Sequence, residues 1–201
     1  VYATFPNHYI VIDRKKEKRI ITIVIHGMFH KKNNYLTEIL DVLAAQGVDF
    51  IICGGVALVL HGVERMTLDL DLSVGMDTGN LERFLAVMKR LGLTPRAPVP
   101  AESILDPVKR KMMTEEKNAL VFTFIDTKNP FRQVDVFITD DFSYHSLIDH
   151  VEMLDIGGVK MNLISKKRLL EMKKAIKPPR DKDLFDIRVL ERILNNERKK
   201  R

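Results

Sequence analysis

Between residues 34 and 46 the apolar positions Leu36, Ile39, Leu40, Leu43 and Ala44 recur at three- and four-residue intervals, the spacing of one helix face. Gly47 follows as a helix stop. Residues 48–53 change period: Val48, Phe50, Ile51, Ile52 and Cys53 form a short, β-branched and aromatic run that reads as a strand and ends at Gly54-Gly55. A short apolar helix is expected over 56–61, closed by Gly62, then a strand over 66–74. Leu81, Phe84, Leu85, Met88 and Leu91 predict an amphipathic helix over 77–91. The proline-bearing stretch 94–113 is expected to be a loop with one helix, followed by paired strands over 119–125 and 132–138 around Asn129-Pro130. Residues 142–150 read as helical, and 151–156 with 159–163 as a hairpin around Gly157-Gly158. Helices over 165–176 and 181–195, broken at Pro178-Pro179, complete the pattern. The expected fold class is α/β (α+β), a small mixed and twisted sheet flanked by helices with a C-terminal helical segment. The expected organisation is a leader over 1–33, either disordered or an extra strand, a core over 34–164, and a helical segment with a basic tail over 165–201.

One strand breaks the rule that buried strands are apolar. Residues two apart on a strand leave from the same face, about 6.6 Å apart along the chain. Asp69 and Asp71 therefore project together, while Leu68, Leu70 and Leu72 are expected to point into the core. Two adjacent like charges suit either a solvent-facing strand or a divalent-cation site. A third acid in the same setting, Asp135 between Val134 and Val136, favours the cation site. Three acids on neighbouring strands can hold one or two Mg²⁺ ions, and paired metals roughly 4 Å apart can stabilise both oxygens of a phosphoryl transfer. Gly54-Gly55 supplies a side-chain-free turn through which backbone N–H groups can approach phosphate oxygens at the start of a helix.

Composition bounds these readings without deciding them. The chain has 201 residues, 45% of them hydrophobic and 30% charged, enough for one domain with a packed core. Its net charge of +6 gathers partly in Arg14–Arg19 and in the tail from Arg198 to Arg201, either solvated faces or contacts for RNA or polyphosphate. The single cysteine, Cys53, cannot form an internal disulfide, so a cytoplasmic setting is the expectation. Cys53 reads as a small buried hydrophobe and His61 as a packed or capping residue. No apolar stretch reaches the length that spans a bilayer, so no membrane partner is expected.

Order and spacing carry more than the single motifs. Gly54-Gly55, a 13-residue interval, Asp69-Leu70-Asp71 and the later Val134-Asp135-Val136 resemble the signature of the DNA polymerase beta-like nucleotidyltransferase superfamily. The fuller stretch Gly54-Gly55-x-Ala57, His61-Gly62, Arg65-x-Thr67-x-Asp69-x-Asp71 is similar to its minimal nucleotidyltransferase and abortive-infection (AbiEii-type) toxin branch. Lys173 followed by Arg180-Asp181-Lys182-Asp183-x-x-Asp186 resembles a helical segment of that branch. The resemblance covers about 34–194. It departs in the residue after the first glycine, where many catalytic members carry serine and this chain has Gly55.

The resemblance implies a nucleotidyltransferase fold and Mg²⁺-dependent (or Mn²⁺-dependent) transfer of a nucleoside monophosphate from an NTP to a hydroxyl. The acceptor is left open among RNA, a protein side chain and a small molecule, the basic surface and the resemblance leaning towards an RNA such as tRNA or a protein, with a cognate antitoxin as the implied partner. Asp69, Asp71 and Asp135 would be the metal-holding and catalytic acids, with Asp135 helping to deprotonate the acceptor. Gly54, Gly55, Arg65, Thr67, Lys173, Lys182 and Asp183 would form the nucleotide-binding set. Beside this stand plainer roles: Thr67 orienting Asp69, Arg65 balancing the acids, Lys173 on the surface, and Asp181 capping its helix. The alternative to catalysis is a nucleotidyltransferase-like module that binds a nucleotide or a partner. A sugar-nucleotide transferase with a DxD motif would need a longer chain.

Overall fold

The structure is a computed structural model that describes residues 8–11, 22–25, 35–156 and 158–199. Strands β1 (His8–Val11) and β2 (Thr22–Ile25) pair antiparallel within the stretch set apart as a leader. The other leader residues, including the basic run 14–19, lie outside the described residues, as do Gly157 and the last two residues of the tail.

The main body is built on β3 (Phe50–Ile52), β4 (Asp69–Val74), β5 (Leu93–Pro95), β6 (Val121–Asp126), β7 (Gln133–Phe137), β8 (Val151–Ile156) and β9 (Val159–Ile164). These form a seven-stranded sheet in the order β5-β6-β7-β4-β3-β9-β8. It is mixed: β4 runs parallel to β7 and β3 parallel to β9, while the other neighbours are antiparallel. The helices are α1 (Tyr35–Ala45), α2 (Gly54–Leu60), α3 (Thr78–Arg90), α4 (Pro107–Glu115), α5 (Tyr144–Leu147), α6 (Lys166–Ala175) and α7 (Asp181–Lys199). The α/β class is as expected.

Each long helix follows from local chemistry. The apolar face of α1 buries Leu36, Ile39, Leu40 and Leu43 completely or nearly so. Asp77 caps α3 by accepting the Asn80 amide at 2.9 Å, which satisfies one of the free N–H groups of the first turn. The Phe84 ring of α3 meets Phe124 of β6 edge-on at 5.6 Å, tying this helix to the apolar side of the sheet. On that side Leu70, Leu72, Val134 and Val136 are fully buried, leaving the alternate positions of β4 and β7 for the other face. Helices α6 and α7 pack on each other, and α2 packs between β4 and α6.

Several boundaries move. The strand expected to start at Met66 starts at Asp69, and Leu68, assigned to the core by alternation, is 43% exposed. Its carbonyl accepts the Tyr35 hydroxyl instead of a strand partner, so the chain has not yet entered the ladder and alternation does not apply. The helix expected at Val56 begins at Gly54, whose φ of +56° turns the chain directly out of β3. Residues 94–113 hold the end of a strand and a 3₁₀ turn besides the expected helix. Residues 142–150 make one short helix between 3₁₀ turns. Asp181 opens α7, but the carboxylate that meets the backbone there is Asp183, which accepts the Arg180 amide at 3.3 Å.

Candidate metal and nucleotide site

Register brings the three acids together. In the parallel pairing of β4 and β7, Asp71 lies opposite Asp135 and Asp69 opposite Gln133. In the antiparallel pairing of β6 and β7, Thr123 lies opposite Asp135. Alternation sends these side chains to the face away from the apolar core. Asp69, Asp71 and Asp135 each offer an oxygen, and the three oxygens lie within 4.8 Å of one another.

Every acid is held by neutral donors. The Thr67 hydroxyl donates to Asp69 Oδ1 at 2.7 Å, and the Gly55 amide donates to Asp71 Oδ2 at 3.2 Å. Asp135 is gripped on both oxygens, by the Thr123 hydroxyl at 2.6 Å and by Gln133 Nε2 at 2.8 Å. No ion pair among the described residues involves any of the three. Burial, then the charges of Asp69 and Asp135, push the Asp71 carboxyl up to about 6. For Asp69 burial acts in the same sense but is outweighed by the Thr67 hydroxyl, its own amide, Lys182 and Arg65, and the group lies below its usual value. Three clustered oxygen donors with no ion-pair partner among the described residues fit a hard divalent cation such as Mg²⁺ or Mn²⁺.

The two glycines let this cluster close. A Cβ on Gly54 would sit 1.8 Å from Asp71 Oδ2, and one on Gly55 would sit 2.2 Å from Thr67 Oγ1. The start of α2 therefore rests directly on the acidic face, at a separation that any side chain would prevent. In this arrangement the Gly55 N–H serves a carboxylate. The next side chains, Val56 and Ala57, are buried and apolar, so the first motif brings no hydroxyl to the face.

The C-terminal members of the candidate set form a second cluster. Lys173 of α6 is buried and pairs with Asp183 at 3.1 Å and Asp186 at 3.0 Å, both on α7. Arg180 grips Asp183 at 2.6 Å, and Arg65 reaches Asp186 at 2.8 Å. Burial alone would raise the Asp183 carboxyl, but the Arg180 and Lys173 hydrogen bonds hold it well below the usual carboxylate range. Lys173 and Asp183 are thus committed to each other, whereas Lys182 is exposed on α7 and contributes to keeping Asp69 ionised. Arg65, just ahead of Thr67, links the two clusters.

A cleft of about 400 Å³ opens beside Asp69, its wall including Arg65, Met66, Phe131 and Gln133. Thr123 and Gln133 were absent from the expected set, whereas Asp186 was named as part of the charged C-terminal segment. Gln133 stands two residues before Asp135 as Thr67 stands two before Asp69, and this repeated spacing is the signal that marks it. Cys53 is fully buried, and His61 is buried with Nε2 2.7 Å from the Ile164 carbonyl oxygen, a packed residue.

No protein-family model matches the chain, and no curated protein matches its sequence. Among solved structures it is similar to the lincosamide antibiotic adenylyltransferase LnuA in its lincomycin-bound form, with a TM-score of 0.53, 17% identity, and coverage of 81% of this chain and 98% of that one. It is also similar to the antibiotic-resistance factor ANT(2'')-Ia, with a TM-score of 0.52, 14% identity, and coverage of 81% and 84%. At these identities the likeness is one of fold alone, the mixed α/β fold shared with these two structures.

Proposed function

We propose that this protein is a metal-dependent nucleotidyltransferase that moves a nucleoside monophosphate from an NTP to an acceptor hydroxyl, releasing pyrophosphate. The observation that carries the reading is the triad on β4 and β7, three carboxylates with oxygens within 4.8 Å of one another and only neutral hydrogen-bond donors. The fold shared with the two solved structures supports it.

Asp69, Asp71 and Asp135 are the residues that would hold Mg²⁺ or Mn²⁺. Such an ion, when bound, supplies counter-charge to the phosphates and to the developing charge of the transfer. The new bond joins the acceptor oxygen to the α-phosphorus, and the bond from that phosphorus to the bridging oxygen of the β-phosphate breaks. Asp135 accepts the acceptor's proton: Thr123 and Gln133 fix both of its oxygens while each oxygen keeps a further lone pair. Thr67 aims Asp69, and the Gly54-Gly55 turn brings the start of α2 against the acids. Lys182, exposed on α7 and acting electrostatically on Asp69, would meet the phosphates. The network of Lys173, Asp183, Asp186 and Arg180 anchors α6 and α7 to Arg65, beside Thr67 and Asp69.

The resemblance favours an RNA or protein acceptor and a toxin role with a cognate antitoxin, while the names of the solved structures favour the remaining alternative, a small molecule. The test is incubation of purified protein and Mg²⁺ with each NTP labelled at the α-phosphate, supplied separately with cellular RNA, protein and small-molecule fractions. Transfer by wild type and its loss in Asp69→Asn/Asp71→Asn is the expected result. Absence of transfer in every fraction, with nucleotide binding retained, would make the protein a binding module.

A further inference from the structure

The grip on Asp135 continues to the residue that follows β5. Gln133 Nε2 donates to Asp135 Oδ2 at 2.8 Å, and Gln133 Oε1 accepts from Arg96 Nη2, also at 2.8 Å. Arginine only donates and a carboxylate only accepts, so both neighbours demand the same orientation of the Gln133 amide. Arg96 is placed by its own backbone, whose N–H donates to the Thr123 carbonyl at 2.9 Å just beyond the end of β5. The Thr123 hydroxyl in turn donates to Asp135 Oδ1 at 2.6 Å. Arg96, Thr123, Asp135 and Gln133 thus close a ring of hydrogen bonds around the third acid.

We propose that Arg96 and Gln133 form a positioning relay for Asp135, in which Gln133 aims the carboxylate and Arg96 locks Gln133. This inference rests on the nucleotidyltransferase reading for its effect on catalysis, but not for its effect on cation binding. A cation placed directly on Asp135 would neutralise the carboxylate and compete with a divalent ion. The neutral amide between them passes on the arginine's positional constraint and keeps its formal charge one side chain away. The same choice recurs at Asp69 and Asp71, whose hydrogen-bond donors are a hydroxyl and an amide. Hydrogen bonds that orient the groups holding a metal are worth about 10–100-fold in affinity or activity when removed.

The experiment is a double-mutant cycle with Gln133→Leu, Arg96→Met and the pair, read in two ways: Mn²⁺ affinity from the electron paramagnetic resonance of free Mn²⁺, and kcat and KM for NTP in the labelled transfer. Thermal melts accompany each variant. Gln133→Leu is expected to lower kcat by about 10–100-fold and to weaken Mn²⁺ in the same direction, with KM for NTP little changed. Arg96→Met is expected to act in the same direction by less, the pair to match Gln133→Leu alone, and Arg96→Lys to recover part of the loss. Additive effects in the pair, unchanged kcat and Mn²⁺ affinity in Gln133→Leu, or losses that merely follow melting temperature would overturn the relay. Transfer by wild type with an additive cycle rejects the relay and keeps the transferase. A non-additive Mn²⁺ cycle without transfer rejects the transferase and keeps the relay, and wild type that binds no Mn²⁺ rejects both.

Discussion

Two groups of aspartates in this molecule meet opposite electrostatic treatment. On the sheet, Asp69, Asp71 and Asp135 crowd together with hydroxyls and amides as donors, and Asp71 is pushed up to about 6 by burial and its neighbours' charge. Between the last two helices, Asp183 and Asp186 are more deeply buried, yet Lys173, Arg180 and Arg65 surround them and Asp183 is held far down. The second group is electrostatically complete and serves as a fastening, because breaking a buried pair leaves an uncompensated charge. The first group has no ion-pair partner among the described residues, only the more distant charges of Lys182 and Arg65 on Asp69. The difference shows that where acids gather matters less than whether the fold supplies their counter-charge.

Removing acids from the first group tests this contrast most severely. Asp71→Asn is expected to lower nucleotidyl transfer at least about a thousandfold, equivalent to about 4 kcal/mol of transition-state stabilisation, as measured with the labelled NTP. The matching change in the complete group should act on stability instead. Lys173→Met removes the cation shared by Asp183 and Asp186 and is expected to cost about 3 kcal/mol in chemical denaturation, as for other broken buried pairs.

The pH dependence sharpens the comparison. A carboxylate whose folded value is raised takes up a proton more readily when folded than when unfolded, so its ionisation weakens the fold above that value. With Asp71 at about 6, the metal-free wild type should gain about 2 kcal/mol relative to Asp71→Asn as pH falls from 7 towards 4. Denaturation of both proteins in EDTA across that range measures it, and a flat difference would contradict the raised value. Asp183 works in the opposite sense: its stabilisation is lost as pH falls through its depressed folded value, but it is present in both proteins and cancels in the difference. The smallest effect expected is that of Thr67→Val, which removes the hydroxyl on Asp69 and should lower transfer by about three- to tenfold, near the 1 kcal/mol of one hydrogen bond.

Much of this was legible in the chain because it rests on local periods. Alternation placed Asp69 and Asp71 on one face, and Asp135 between valines marked its strand. Helical spacing located α1, α3, α6 and α7 closely. What could not be read depends on register between distant segments. Nothing in the residues around Thr123 says that it will face Asp135, or that Arg96 will meet Gln133. Lys173, Asp183 and Asp186 were visible as a charged segment, but only the packing of α6 on α7 decides that the lysine is spent on aspartates. Leu68 was misplaced for a related reason: its pattern fits a strand, while its carbonyl is taken by Tyr35 before the ladder starts.

The most direct measurement is calorimetric titration of ATP into wild type and Asp71→Asn, each with Mg²⁺ and with EDTA. The account predicts that Mg²⁺ markedly tightens ATP binding to wild type and that this gain disappears in Asp71→Asn. ATP binding that is equally tight in EDTA, or a Mg²⁺ gain that survives the substitution, would show that the acidic triad is not where the cation and nucleotide meet.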